Sequence, residues 1–348
     1  MVDPVGCLDL SLWTGPDNSP VAPLRVYLDT NKWIDLAKAS VGKADGKRYA
    51  DVLEIARYGK KAGLVVFPLS TSHYFEVLRI RSAKRRRHLA PVMAELSGLT
   101  TMISVPGTLE GEIDRALRAR WGRPLNIREA AIFGHGAGHA FSQKAIAYRV
   151  PDEAKVDEET RRRLELANSE ALEVGLLAGP AADLPHADID PAATDAVQDR
   201  HAQEEADLGA LIRRSGRQGG DFRHIWEARA LIELVEPINE AMLRAGLSPA
   251  LFPALGQEGI EAFFAELPSS YALFELRWRR HRDPNLPWTR RDLNDLYGMS
   301  MAVVHCDVVV TERHMAGLLR EAKLDARHET TVLTDLADLA PVLVAPAV

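Results

Sequence analysis

Five short apolar runs constrain this chain more than any other feature: RVYLD (25–29), LVVFPLS (64–70), TTMISVP (100–106), DVVVT (307–311) and ETTVLT (329–334). Their apolar residues are contiguous rather than alternating, which is the pattern of strands covered on both faces. Helical patterns follow them. NKWIDLAKAS (31–40) follows the first, and KRYADVLEIARYGKKAG (47–63) puts Val52, Leu53, Ile55 and Ala56 on one face and closes on Gly63 as a C-cap. Residues 70–81 read as a helix with Ser70, Thr71 or Ser72 as N-cap, and AKRRRHLAPVMAELSG (83–98) as another. TRRDLNDLYGMSMAVVHC (289–306), ERHMAGLLREAKL (312–324) and DLADLAPVLV (335–344) complete the series. Strands alternating with helices predict βαβ units and an α/β fold with a central parallel sheet.

The rhythm is interrupted. Residues 107–288 are mainly helical in pattern, including an amphipathic, charge-laced stretch at 151–177 and a core-spaced helix at 221–243. The segment 178–196 is rich in Pro, Ala and Asp and reads as a surface loop, 213–221 as a flexible basic connector, and FGHGAGHAF (133–141) as a glycine-rich turn. The resulting organisation is an α/β domain in two parts, 1–106 and 289–348, split by a helical insertion at 107–288. An insertion of that length should carry a core of its own. Residues 1–23, with Pro4, Pro16, Pro20 and Pro23, read as a loose arm.

Composition narrows the setting. The chain has 348 residues, 46% hydrophobic and 26% charged, with a net charge of −6, so the total charge does not suggest a nucleic-acid binder. Two cysteines, Cys7 and Cys306, are too few for a disulfide framework and fit a reducing cytoplasm. Asp3 and Asp9 argue against a signal peptide, and no stretch approaches the ~20 apolar residues of a membrane span.

The carboxylates carry the functional signal. In open α/β sheets ligands bind at the carboxyl ends of the strands, and Asp29 stands at such an end. Glu76 falls in the helix after the second strand. Asp292 and Asp295 open the last long helix, spaced i, i+3 and so on one face; alone, they also suit a helix N-terminus. Glu312 follows the fourth strand just past Thr311, whereas Asp307 precedes that strand. A parallel sheet can bring Asp29, Glu76, Asp295 and the Thr311–Glu312 turn together, where like charges raise one another's pKa and a hard divalent cation relieves the repulsion.

These residues resemble the PIN-like (PilT N-terminus) nuclease family. Its pattern opens with an apolar strand, Asp, Ser/Thr and Asn/Ser, matched here by VYLDTN. Next comes a Glu in a helix, matched by STSHYFEVLR. Then come an Asp opening a helix and a strand ending in Thr, matched by DLYGMSMAVVHCDVVVT. The resemblance implies a three-layer α/β/α fold with a central parallel sheet. It implies a metal site on Asp29, Glu76 and Asp295, with Thr30, Asn31 and Thr311 orienting them and Asp292 beside them. The family's fourth acid lies two residues after the Thr, where this chain has Arg313, so Glu312 and Asp307 are the substitutes. The implied activity is Mg²⁺- or Mn²⁺-dependent hydrolysis of phosphodiester bonds in single-stranded or structured RNA. A toxin, defence or RNA-processing role, an antitoxin or other protein inhibitor, and a homodimer are the corresponding family expectations. The resemblance covers 1–106 and 289–348 only.

Basic clusters bracket these acids. AKRRRH supplies Arg85, Arg86 and Arg87, RWRRHR supplies Arg279 and Arg280, and Arg290 and Arg291 precede Asp292. They are candidate RNA contacts, with Trp278 and Trp288 as candidate stacking groups; the alternative is a solvated helix face paired with Glu. His135 and His139 have i, i+4 spacing but lack the Glu of a zinc-protease motif, and Arg81 with His88 is a weak match to metal-independent HEPN ribonucleases. A phosphatase of the haloacid-dehalogenase type needs an Asp where Asn31 stands. A catalytically weak RNA-binding or scaffold protein is the remaining alternative.

Overall fold

The computed structural model describes residues 22–122, 130–143, 149–151, 154–179, 191–215, 220–282 and 287–344. Its strands are β1 (Leu24–Leu28), β2 (Val65–Val66), β3 (Thr100–Met102), β4 (Phe133–His135), β5 (Val308–Val310) and β6 (Thr331–Leu333). The first half of the chain contributes helices α1 (Thr30–Ser40), α2 (Ala50–Lys61), α3 (Thr71–Arg79), α4 (Ala83–Ser97), α5 (Val105–Trp121), α6 (Gly136–Ala140) and α7 (Glu158–Ala178). The second half adds α8 (Pro191–Ser215), α9 (Gly220–Arg244), α10 (Gly256–Ala265), α11 (Pro268–His281), α12 (Arg290–His305), α13 (Arg313–Glu321), α14 (Leu324–His328) and α15 (Leu339–Val344).

Four strands form a parallel sheet in the order β2-β1-β5-β6, within a chain that is otherwise mainly helical. β1 is therefore central, with Val26, Tyr27 and Leu28 opposite Val308, Val309 and Val310. The parallel order joins the first part of the chain directly to the last. β3 and β4 make an antiparallel pair that touches the parallel sheet through Leu69, whose N–H donates to Thr100 O and whose carbonyl accepts from Met102 N. Only two residues of LVVFPLS are ladder-paired as β2, because Pro68 has no N–H to give.

Strand periodicity sorts the core. Val26, Leu28, Val308 and Val310 enter one apolar cluster with Trp33 and Leu36 of α1, Leu53 of α2, Met93 of α4 and Leu339 of α15. Tyr27 and Val309 point the other way and join Leu273 and Leu276 of α11, Met299 and Val303 of α12 and Leu319 of α13. Burying each Leu or Val in these clusters contributes roughly 1.5–3 kcal/mol, and a one-residue slip of β1 would exchange the two faces. Cys306 belongs to the second cluster, and burial pushes its thiol far up, so it is an inert packing group.

The segment 107–288 carries an apolar cluster of its own. Ile113 and Leu117 of α5 pack with Ile238 and Met242 of α9, Phe252, Phe263 of α10 and Leu267. Others of its helices pack on the sheet instead: Ala137 and Ala140 of α6 and Leu177 of α7 lie in the first sheet cluster, and α11 lies along α12 in the second. Parts of the expected loops are ordered structure. Of 178–196, residues 180–190 lie outside the described residues, but α8 begins at Pro191, a residue preset for the first helical turn. Similarly, 216–219 lie outside the described residues, and the rest of the basic connector belongs to α8 and α9.

FGHGAGHAF is β4 followed by α6 rather than a turn. Its glycines permit close approach: a Cβ on Gly134 would lie 2.3 Å from the His139 ring, and Gly136 has φ +76° with the Glu173 carboxylate against it. Both His139 ring nitrogens are engaged, Nδ1 with Thr101 Oγ1 at 2.9 Å and Nε2 with Ala131 O at 2.9 Å, so the ring is a strut between strands. Among the described residues no helix is long and apolar enough to cross a membrane.

Candidate active site

Asp29 ends β1 and is the N-cap of α1. An N-cap carboxylate ordinarily accepts N–H bonds from its own helix; this one makes none. Its Oδ2 accepts instead from Thr311 Oγ1 at 2.8 Å, a partner 282 residues away in sequence. The backbone enforces the meeting, since Asp29 N donates to Val310 O at 2.9 Å and continues the β1–β5 ladder to the sheet edge. One residue beyond Thr311, Glu312 accepts from Asn31 Nδ2. The VYLDTN and VVVTE segments are thus cross-tied by two side-chain bonds on adjacent strand ends.

α3 brings the third acid. Ser70 caps it in a reciprocal box with His73: the Ser70 N–H donates to His73 Nδ1 at 2.9 Å. His73 Nε2 then donates to Leu28 O at 2.8 Å, one residue before Asp29. Burial holds this imidazole down to about 4, so it is neutral at pH 7 and acts as a fixed donor. With α3 anchored to β1 in this way, Glu76, one turn further on, faces the end of the sheet. Its carboxyl is in hydrogen-bond contact with Asp295 and with Thr30.

Asp295 is on α12. That helix can come close because Gly298 faces α3; a Cβ there would lie 2.6 Å from Ser72 Oγ and 2.7 Å from Tyr27 Oη. Ser72 Oγ also donates to Asn294 O at 2.5 Å. Burial pushes the Asp295 carboxyl up to about 9, aided by the Glu76 charge, the Glu76 contact and the Asp29 charge, with Arg291 opposing. Burial also raises Glu76. Both carboxyls are thus shifted toward the protonated form, the normal direction for buried like charges close to one another. Arg291 Nε lies 3.7 Å from Asp295 Oδ2, and the charges of Asp295, Glu76, Glu312 and Asp29, in that order, raise its guanidinium pKa against the effect of burial.

Asp29, Glu76, Asp295 and Glu312, with Thr30, Asn31 and Thr311, are therefore drawn together at the carboxyl end of the sheet. Among the described residues no group of three or more His, Cys, Asp or Glu side chains stands at the spacing of a metal centre. The chemistry of the donor set nonetheless suits a hard cation: oxygen only, half-buried, and short of positive charge.

Other expected residues lie elsewhere. Asp307 is at the opposite end of β5, roughly 13 Å from Thr311 at ~3.3 Å per residue. Its Oδ2 accepts the Arg25 N–H at 2.7 Å, which closes the start of the ladder and removes it as a fourth acid. Asp292 forms a capping box with Thr289 and accepts from Arg280 Nε at 3.1 Å. It is a helix cap, the simpler of the readings its i, i+3 spacing with Asp295 allowed.

Most of the candidate RNA-binding arginines are consumed internally. Arg86 is buried and donates to Ile80 O and Ala178 O; Arg280 is buried and donates to Asp292 and Pro287 O. Arg279 pairs with Glu275, and Arg290 pairs bidentately with Asp199. Arg87 is exposed on α4; Arg85 lines a groove with Lys38 and Val41 at the far end of α1, roughly 14 Å along that helix from Asp29 at ~1.5 Å per residue. Trp278 is buried with Leu208 and Phe274, and Trp288 lies against the His281 ring at 4.5 Å and the Arg280 guanidinium at 5.0 Å. Trp278 is therefore not a stacking face, whereas Trp288 is half-buried and lines a cleft with Arg290 and Arg291.

Of the supports, sequence reading offered Ser70 and Ser72 only as N-cap candidates, of which Ser70 is the cap, and it missed Tyr27, His73 and Gly298. The Ser70–His73 spacing matches a capping box with His in the Glu/Gln position, and a glycine inside an otherwise regular helix is the mark of close approach. No protein-family model, curated protein or solved structure matches this chain.

Proposed function

We propose that the chain is a PIN-like, three-layer α/β/α nuclease that hydrolyses RNA phosphodiester bonds with Mg²⁺ or Mn²⁺ held by Asp29, Glu76 and Asp295, Glu312 serving as the fourth acid. One observation carries the reading. Three carboxylates, from the ends of β1, α3 and α12, act on one another at the carboxyl end of a parallel sheet, with Arg291 opposing their charge. Acids maintained in mutual repulsion for structure alone are costly, and a bound dication removes the penalty.

The metal would supply Lewis acidity toward a phosphate oxygen and a nucleophilic water at neutral pH. The protein's part is positioning. Thr311 fixes one oxygen of Asp29, leaving the other for a ligand. Asn31 orients Glu312, and His73 locks the backbone carbonyl before Asp29 so that the β1 end does not fray. Carboxyls raised as Glu76 and Asp295 are would have to lose protons on ion binding, which makes affinity rise with pH. Arg291, at the rim, offers a phosphate oxygen a charge-assisted donor.

Arg291 also supports a second reading, an RNA-binding scaffold without hydrolysis, because one guanidinium already offsets part of the acidic charge. The deciding measurement is Mn²⁺-dependent cleavage of end-labelled RNA by the wild type and by Asp29→Asn, with folding checked by circular dichroism. Cleavage lost in the variant supports the nuclease; RNA binding without cleavage in either protein supports the scaffold. A toxin, defence or processing role, with a protein inhibitor as partner, is the corresponding biological setting.

A further inference from the structure

α8, from the insertion, lies against the site. Arg79 at the end of α3 donates to Gln198, Gln198 Nε2 donates to Asn294 Oδ1 at 3.4 Å, and Asp199 grips Arg290 through both carboxylate oxygens. Between α8 and the ends of α3 and α12 runs an open cleft of about 530 Å³, lined by Arg79, Asp199, Gln203, Thr289, Arg290 and Arg291 among others.

The cleft lies beside the acidic centre. Arg79 is three residues from Glu76 on α3, and Arg291 is four from Asp295 on α12, so each arginine sits one turn from an acid. Three arginines and two neutral polar side chains line a cleft with one carboxylate, that of Asp199. A bidentate grip on a planar guanidinium is the geometry carboxylates and phosphates share. Asp199 therefore stands where a phosphate would. Its side chain is 56% exposed, and exposed ion pairs of this kind are weak enough to exchange.

Resting on the nuclease reading, we infer that this cleft binds the phosphate backbone of single-stranded nucleic acid next to the cleavage centre, with Arg290 exchanging the Asp199 carboxylate for a substrate phosphate. The insertion thereby supplies both a wall of the substrate channel and an internal anion that competes with weak ligands. A strand enters only by displacing Asp199, which favours ligands that place a phosphate at Arg290.

The test is binding, kept separate from cleavage. The affinity of a fluorescein-labelled oligouridylate for the full chain is read by anisotropy in EDTA, where no hydrolysis occurs, over a range of salt. Asp199→Asn should tighten binding about three- to tenfold, while Glu159→Gln on α7, an equal charge change at an exposed pair elsewhere, should not. Arg290→Lys, which keeps the charge but loses the fork, should weaken binding about tenfold. Arg290→Ala should also reduce the slope of log Kd against log salt by about 0.7, the loss of one single-strand phosphate contact. Unchanged affinity and slope in all three cleft variants would overturn the cleft assignment even if Asp29-dependent cleavage is found. Tightening equally strong in Glu159→Gln would also overturn it, as a net-charge effect. Changed affinity with no metal-dependent cleavage would uphold the cleft and sink the nuclease. Preference for a duplex of the same length over the single strand would overturn the backbone class proposed.

Discussion

At the carboxyl end of the sheet, the charges of Asp29, Glu76 and Asp295 act on one another, with Arg291 opposing them. Along α11, by contrast, every strong charge has an opposite. Arg277 bridges Glu205 and Glu233, Glu275 takes Arg223 and Arg279, Arg280 takes Asp292, and His281 donates to Glu205 at 2.7 Å. The electrostatics follow the arrangement. Burial pushes the Glu205 carboxyl up, yet the His281 hydrogen bond and Arg277 charge outweigh it and hold it below the usual range; burial pushes Asp295 up and its carboxylate neighbours push it further. The difference teaches which buried charges belong to the fold. Paired charges already have their partners, whereas in a convergence of like charges the repulsion is not offset within the fold, and the proposed cation is what would offset it.

The contrast breaks first, and by the largest margin, at Asp29. In Asp29→Asn, Mn²⁺-dependent RNA cleavage should fall at least about 10³-fold with an unchanged far-ultraviolet spectrum. Retained cleavage would place the chemistry elsewhere. The opposite side of the comparison comes next. Glu205→Ala strips a buried carboxylate from Arg277 and His281 and should cost about 3 kcal/mol in urea unfolding, while leaving metal affinity intact.

Asp295→Asn should do the reverse and stabilise the cation-free protein at pH 8 by about 1–2 kcal/mol, after allowance for partial exposure. The sign follows from the raised carboxyls: the folded protein retains protons that the unfolded chain releases. That contribution is complete below the ordinary carboxylate pKa near 4 and is lost as pH rises toward about 9. Wild-type stability in EDTA should therefore decline from pH 5 to 9, added Mn²⁺ should restore it most at the alkaline end, and Asp295→Asn should flatten the profile. A flat wild-type profile would mean the carboxyls do not meet. The smallest effect belongs to Thr311→Val, which frees one Asp29 oxygen. It should lower the cleavage rate about five- to tenfold, near 1 kcal/mol, with stability within about 1 kcal/mol of wild type.

Much of this arrangement was legible in the chain. Asp29, Glu76, Asp295 and Thr311 could be chosen because each ends a strand or sits in the helix beside one, and a parallel sheet leaves few ways to order such ends. Asp307 shows the limit. It is as close to the strand as Thr311, but at the wrong end, and the ladder direction turns it into a partner for Arg25 N–H. The arginines mark a second limit, since the sequence displays clusters and not partners. Arg86 and Arg280 are spent on backbone carbonyls and a cap, and only the packing of α4, α7, α11 and α12 assigns them.

By itself the sequence determined the local terms: contiguous apolar runs that become strands, helical periodicity, caps, and the placing of acids at element ends. Those depend on neighbours within a few residues and on side-chain period. The tertiary structure alone decided which acids act on one another, which arginines are already taken, and that α8 walls a cleft beside the centre. These are contacts between residues as many as 282 positions apart, and charge energies at such contacts turn on separations of a few ångströms that no local pattern encodes.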